Sequence, residues 1–345
     1  MSHFSVCVVV PQVYSNVRVS AQNIESCLHR ILAPYDEQTE EAEYREFEDR
    51  TEEAKAGYET DTTQAVRFPD GTIHSVYDKE FTDRFYILEG AIYEYGADRN
   101  RTEKLQTEAA KAYQLINDYP VKQRYTSFDD YCEEYCGYVK NDLGQWGYTH
   151  NPNAKWDWWQ IGGRFPGKFL VKEDVVDCII THMSPDDDDQ APEGYKYADA
   201  ARMKDICWDF MKQIAVEAVE AGYKRCVESF ESGQLKDMGF FARITDEGIA
   251  GWGSMIYVKG ESLDDYKARK GVTDVDKYPI NTFAFVDRNG DWSGSGDMGW
   301  FGMSSNDKPE RAWNDELQAL MSGVQDDDFV VAVDCHIGFL NLAWS

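Results

Sequence analysis

HFSVCVVV at residues 3–10 and FVVAVDCHI at residues 329–337 decide the architecture expected of this chain. Both are continuous runs rich in β-branched and apolar residues. Runs of this kind and length read as strands buried on both faces, which places them at central positions of a sheet. A sheet holding both at its centre ties distant parts of the sequence into one core. The expected fold class is therefore α+β: a mixed or mainly antiparallel sheet, the N- and C-terminal strands central, helices packed on it. A single domain over residues 1–345 is expected. It carries an acidic helical or loop excursion at about 36–66 and a helical insertion at about 197–232.

Other elements follow by pattern. Residues 20–32 place Ile24, Cys27, Leu28 and Ile31 at helical spacing behind Ser20 as N-cap, and Pro34 ends the run. Residues 101–117 and 127–140 read as helices, the second capped by Ser127. From 197 to about 230, Met203, Cys207, Phe210, Ile214, Ala218 and Ala221 predict one long amphipathic helix. The Asp-Gly in FPDGTIHSVY (68–77) and the Asn-Gly in TFAFVDRNGDWSG (282–294) predict hairpins. Asp287, Asn289 and Asp291 imitate the start of a calcium loop, but Trp292 stands where that loop needs Gly. FARIT (241–245) and MIYVKG (255–260) read as strands, and Trp313, Leu317 and Leu320 lie on one face of a last helix.

Lys and Arg number 35 and Asp and Glu 63, a formal charge of −28. A chain this acidic repels a phosphate backbone and an anionic membrane surface, so neither nucleic acid nor membrane is an expected partner. Ten Trp, 21 Tyr and 17 Phe can bury enough surface to fold the chain despite its charge. No apolar run is long enough to span a bilayer. The opening lacks a basic segment and a small-residue cleavage site, and reads as a strand rather than a signal peptide. Eight scattered Cys suit free thiols in a reducing cytoplasm. Cys132 and Cys136 have no matching Cys or His pair nearby, so no metal and no cofactor is expected. Residues 36–61 hold twelve acids against three bases and read as a solvated face.

The densest chemistry lies in NPNAKWDWWQIGGRFPG (151–167). Trp156, Trp158 and Trp159 flank Asp157, and Gly162, Gly163 and Arg164 follow. Indoles can stack on a base, paired glycines allow a ligand close to the backbone, and a guanidinium forks onto phosphate or carboxylate. The alternative is structural: indoles in the core and Arg164 paired with Asp157. At the end of the last strand, Asp334 and His336 project to one face, so the carboxylate can orient the imidazole. His3 opens the first strand; it meets His336 if the two strands are antiparallel neighbours. Asp36 and Glu37 can take ribose hydroxyls, and Trp300, between glycines in GWFGM (299–303), can wall a pocket.

The blocks MSHFSVCVVV (1–10), LAPYDE (32–37), NPNAKWDWWQIGGRF (151–165), GWFGM (299–303) and VDCHI (333–337) together resemble a family of phage and bacterial proteins. Its members open with a Ser-His-Phe strand and carry an Ala-Lys-Trp-Asp-Trp block followed by Ile-Gly-Gly-Arg. Phe165 is a departure, since Trp often stands there. The resemblance implies a phage or prophage origin and a counter-defence or host-takeover role. It assigns no residue a catalytic part.

Three functions remain open. The first is binding and sequestration of a small nucleotide-like ligand by Trp156, Asp157, Trp158, Trp159, Gly162, Gly163, Arg164, Asp36, Glu37 and Trp300. The second is a hydrolase or transferase acting on such a nucleotide, with His336, Asp334 and His3 as catalytic residues. The third is an acidic inhibitor that covers a basic surface of a host defence protein.

Overall fold

The computed structural model describes residues 2–96, 104–181, 191–236, 241–251, 254–270, 278–299 and 303–337. The fold is α+β. The sequence reads as one domain; the described chain groups into two compact units, residues 2–44 with 151–337, and residues 45–150. The acidic tract thus opens a unit of its own, longer than the excursion expected at about 36–66.

The first unit is organised by a seven-stranded sheet. Its strands are β1 (Ser2–Val10), β2 (Trp158–Ile161), β3 (Cys178–Ile179), β4 (Ala200–Arg202), β5 (Ala284–Val286), β6 (Trp292–Gly294) and β7 (Phe329–Ile337). The order is β3-β4-β7-β1-β5-β6, and β2 also pairs with β7. β1 and β7 are antiparallel neighbours at the centre, registered from Ser2 opposite Ile337 to Val10 opposite Phe329. β1 and β5 are parallel, and the remaining pairs are antiparallel. The open edge of β7 is shared. β4 covers its first half and β2 its second, with Ala332 between them.

Both faces of the central pair are covered, which is why neither strand alternates in polarity. Phe4, Val6, Val8 and Val10, with Val331, Val333 and Cys335, face helix α1 (Ile24–Leu32). Cys7, Val9, Val330 and Ala332 face Trp313, Leu317 and Met321 of helix α3 (Glu310–Ser322). Each fully buried Val contributes about 1.5–3 kcal/mol. A three-stranded sheet over residues 243–258 packs on the last turns of helix α2 (Trp208–Ser232) through Cys226, Ile249 and Tyr257. The second unit holds two small cores, one around Tyr131 and Trp146 and one around Phe81 and Phe85.

Several local expectations change. α1 begins at Ile24, where Asn23, not Ser20, is the cap residue. The helix expected from 197 begins only at Trp208, because Tyr195–Ala198 and Ala200–Arg202 are strands. Ala218 and Ala221 of its expected core face are exposed. Within 101–117, Glu108–Lys111 is helical but Gln114 already opens a strand to Pro120. Propensity for helix is overridden there by pairing with Thr62–Arg67. The span 127–140 shortens to Phe128–Asp130 and a π-helical turn at Tyr131–Tyr135, with Ser127 capping through Asp130 N–H. Both hairpins form.

All eight cysteines are free thiols. Burial pushes the Cys7 thiol up to about 12. In an unfolded chain a thiol ionises at about 8.5. Between those values the unfolded state has released a proton that the fold retains. Stability therefore falls as pH rises through this window, by about 1.4 kcal/mol per pH unit for one thiol. Cys7→Ala is expected to flatten the alkaline limb of urea midpoint against pH. An identical limb in both proteins contradicts the assignment.

Candidate functional site

The site is built at the end of the central strand pair. The antiparallel register sets His3 directly opposite His336. Both point away from α1, on the face that further along carries Cys7 and Ala332. Their imidazoles touch edge to face, with ring centroids 4.9 Å apart. The conditional meeting of these residues read from the sequence is thus realised.

Each imidazole is held by its own carboxylate. His3 Nδ1 lies 2.9 Å from Asp334 Oδ1, and His336 Nδ1 lies 2.6 Å from Asp157 Oδ1. An ionised carboxylate only accepts, so each Nδ1 carries the proton and each Nε2 is the acceptor of the neutral ring. Neither Nε2 has a hydrogen-bond partner among the described residues. The His3 and His336 side chains are 15% and 13% exposed, while Asp334 is wholly buried. A buried carboxylate thus fixes His3 and a partly buried one fixes His336, and one edge of each ring reaches solvent.

The partners are exchanged relative to expectation: Asp334 orients His3, not His336. Residues two apart on a strand share a face but stand about 6.8 Å apart along it. From the neighbouring strand the His3 imidazole reaches diagonally to Asp334, and Asp157, just before β2, reaches His336. Asp157 N–H also donates to the His336 carbonyl, at 3.0 Å.

β2 divides the tryptophans. Trp158 is registered with His336 and Trp159 with Cys335, so they face opposite sides. Trp158 is 47% exposed, and its ring stands 6.4 Å from His3, edge to face. Trp159 lies against His29 of α1, at 4.8 Å, and is 6.5 Å from Trp156, which is core. Of the three indoles, the site therefore keeps Trp158.

The glycines serve carboxylates. Gly162 and Gly163 both have positive φ, +70° and +56°. A Cβ on Gly162 would lie 2.8 Å from Asp199 Cγ, and one on Gly163 would lie 2.4 Å from Asp334 Oδ2. The close approach read from this pair is made by these two buried side chains. Asp199 accepts from Gly167 N–H, Thr181 N–H and Thr181 Oγ, which pins the loop after β2. Asp334 Oδ2 accepts from Arg164 N–H at 2.9 Å. The Arg164 side chain is exposed and makes no ion pair among the described residues, so the expected bridge to Asp157 is absent there.

Asp36 forms an isolated bridge with Trp156. Burial holds its carboxyl above the ordinary value, and the Asp157 charge adds to the effect. Glu37 lines a separate cleft with Phe4, Trp156 and Ile337, on the α1 side of the sheet. Trp300 lies outside the described residues.

Sequence reading missed Lys168 and Ser5. Lys168 ends the pinned loop, and burial lowers its ammonium below the ordinary lysine value. Its Nζ donates weakly to the Asn281 carbonyl at 3.4 Å, 5.6 Å from the Phe165 ring centre. A second cation four residues after Arg164 was the available signal. No His, Cys, Asp and Glu group suited to a metal occurs among the described residues. No helix among them is long and apolar enough to cross a membrane.

Comparison with protein-family models, with curated proteins and with solved structures gives no match for this chain.

Proposed function

We propose that the protein cleaves or transfers a phosphoester of a small nucleotide-like molecule by acid–base catalysis at His3 and His336. The observation that carries this reading is the pair of touching imidazoles, each held at Nδ1 by a carboxylate and each with an uncommitted Nε2. One neutral ring takes the proton of the attacking water or hydroxyl as the new P–O bond forms. The other, protonated, gives its proton to the leaving oxygen as the old P–O bond breaks. Asp334 and Asp157 hold both rings in place through their Nδ1 atoms. Trp158 offers a half-exposed face for a base, and Arg164 a guanidinium for phosphate. In the phage setting that the resemblance implies, this activity would remove a nucleotide defence signal in the bacterial cytoplasm.

Sequestration without turnover is the second reading. It is favoured by the two cations of the 164–168 loop, which can hold an anionic ligand with no chemistry. Incubation of the full chain with cyclic and linear adenine nucleotides, then chromatography after denaturation, separates the two. New products that scale with protein are expected. Bound but unchanged nucleotide leaves sequestration, and no binding of any nucleotide overturns both.

A further inference from the structure

Along the face that carries the two imidazoles, the next residue pair is Ser5 and Asp334, and the next is Cys7 and Ala332. A groove of about 350 Å³ runs there, beginning at Ser5. Phe165, Lys168, Asn281 and Thr282 line it, together with Phe4 and Phe283 from the α1 side of the sheet. A separate small cavity of about 20 Å³, which shares Ser5, Lys168, Asn281 and Thr282 with the groove, reaches Cys7 and Ala332. The groove therefore starts one residue pair, about 6.8 Å, from the imidazoles on the same surface.

Lys168 is the charged group of this groove. In a chain with 63 acids and 35 bases, its Nζ has no carboxylate partner among the described residues and a single long contact to a carbonyl. A partly desolvated ammonium with so little compensation is a seat for an anion. The flanking Phe165 and Phe283 rings suit a flat moiety beside that anion.

We infer that the groove holds a second phosphate of the substrate, so that the ligand is a dinucleotide, with one phosphate at the imidazole pair and the other on Lys168. This rests on the phosphoester reading of the imidazole pair. Lys168 is then a specificity-determining residue: it takes no proton in the reaction and selects ligands with two phosphates over those with one.

The test is calorimetric titration of the full chain with cyclic adenosine monophosphate and with cyclic dimeric adenosine monophosphate. The two-phosphate probe is expected to bind at least about tenfold tighter, the range of one charge-assisted contact. Lys168→Met is expected to abolish that advantage, bringing the two affinities together. Lys168→Arg, which keeps the charge, is expected to retain most of it, and circular dichroism checks that both variants fold. Equal affinities for the two probes overturn the inference. So does an undiminished two-phosphate affinity in Lys168→Met, or no binding of either probe. Failure of the phosphoester reading is seen separately. Turnover without any dependence on Lys168 sinks this inference alone, whereas Lys168-dependent binding without turnover sinks the catalytic reading alone.

Discussion

His336→Ala is expected to lower turnover of the nucleotide substrate about 10²- to 10⁴-fold, with His3→Ala falling in the same range. The expectation comes from the separate support each ring receives. His336 is held by Asp157, just before β2, and His3 by Asp334 on β7, so removing one ring leaves the other ring's carboxylate contact intact. Substrate affinity should change far less than turnover, because neither imidazole is the main charge that holds a phosphate. Because the two rings act on one bond as acid and base, the double variant should lose little more than the worse single variant. Steady-state kinetics of the three variants reads this directly. Losses that multiply, or a rise in KM with kcat unchanged, would show two residues that only bind. Asp157→Asn supplies a finer check. It keeps the size of the side chain but removes the charge behind His336, and is expected to reduce kcat with KM nearly constant.

Gly163→Ala is expected to cost about 2–4 kcal/mol of stability and to remove most activity, although the change adds one methyl group far smaller than the site. A Cβ there would stand 2.4 Å from Asp334 Oδ2 and 2.5 Å from both Asp334 Cβ and Gln160 Nε2. The backbone at φ +56° adds strain for any L side chain. Asp334 is fully buried and cannot swing into water, so the clash moves the carboxylate that orients His3. Denaturant unfolding together with kinetics on the folded fraction checks both halves. Gly71→Ala is the control: its φ is also positive, but no atom lies within 4 Å of the added methyl. It carries the conformational strain without the collision, and is expected to be milder in stability and silent in activity. Equal losses at the two positions would assign the effect to φ alone and leave Asp334 out of it.

The residues of the site were legible in part. His3, Asp334 and His336 stand out because polar groups inside doubly buried strands need partners, and the meeting of His3 with His336 followed once antiparallel adjacency was granted. What one strand cannot reveal is which carboxylate serves which ring. That was set by β2, whose pairing with the second half of β7 carries Asp157 to His336 and frees Asp334 for His3. The Trp156-Asp157-Trp158-Trp159 cluster looked like one stacking surface. Strand alternation sends Trp158 to the imidazoles and Trp159 toward α1, while Trp156 is sealed in the core. Gly162 and Gly163 signalled close approach correctly in kind, but the approaching groups are the chain's own buried carboxylates. Lys168 carried no motif at all; its meaning comes from partial burial without a counter-charge.

The fold divides in the same manner. The apolar runs at 3–10 and 329–337 determined by themselves that two central strands exist and that the sheet is covered on both sides, because burial of β-branched residues on two faces has few other solutions. Helix existence at 24–32 and 310–322 was equally readable from apolar spacing. The inserted unit at 45–150, the strand at Gln114–Pro120 and the late start of α2 at Trp208 were decided by tertiary pairing, since partners many residues away outweigh local propensities worth less than about 1 kcal/mol per residue. Sequence determined which side chains must be buried or partnered. Tertiary structure decided with whom, because register and strand order place a residue against neighbours that no local pattern encodes.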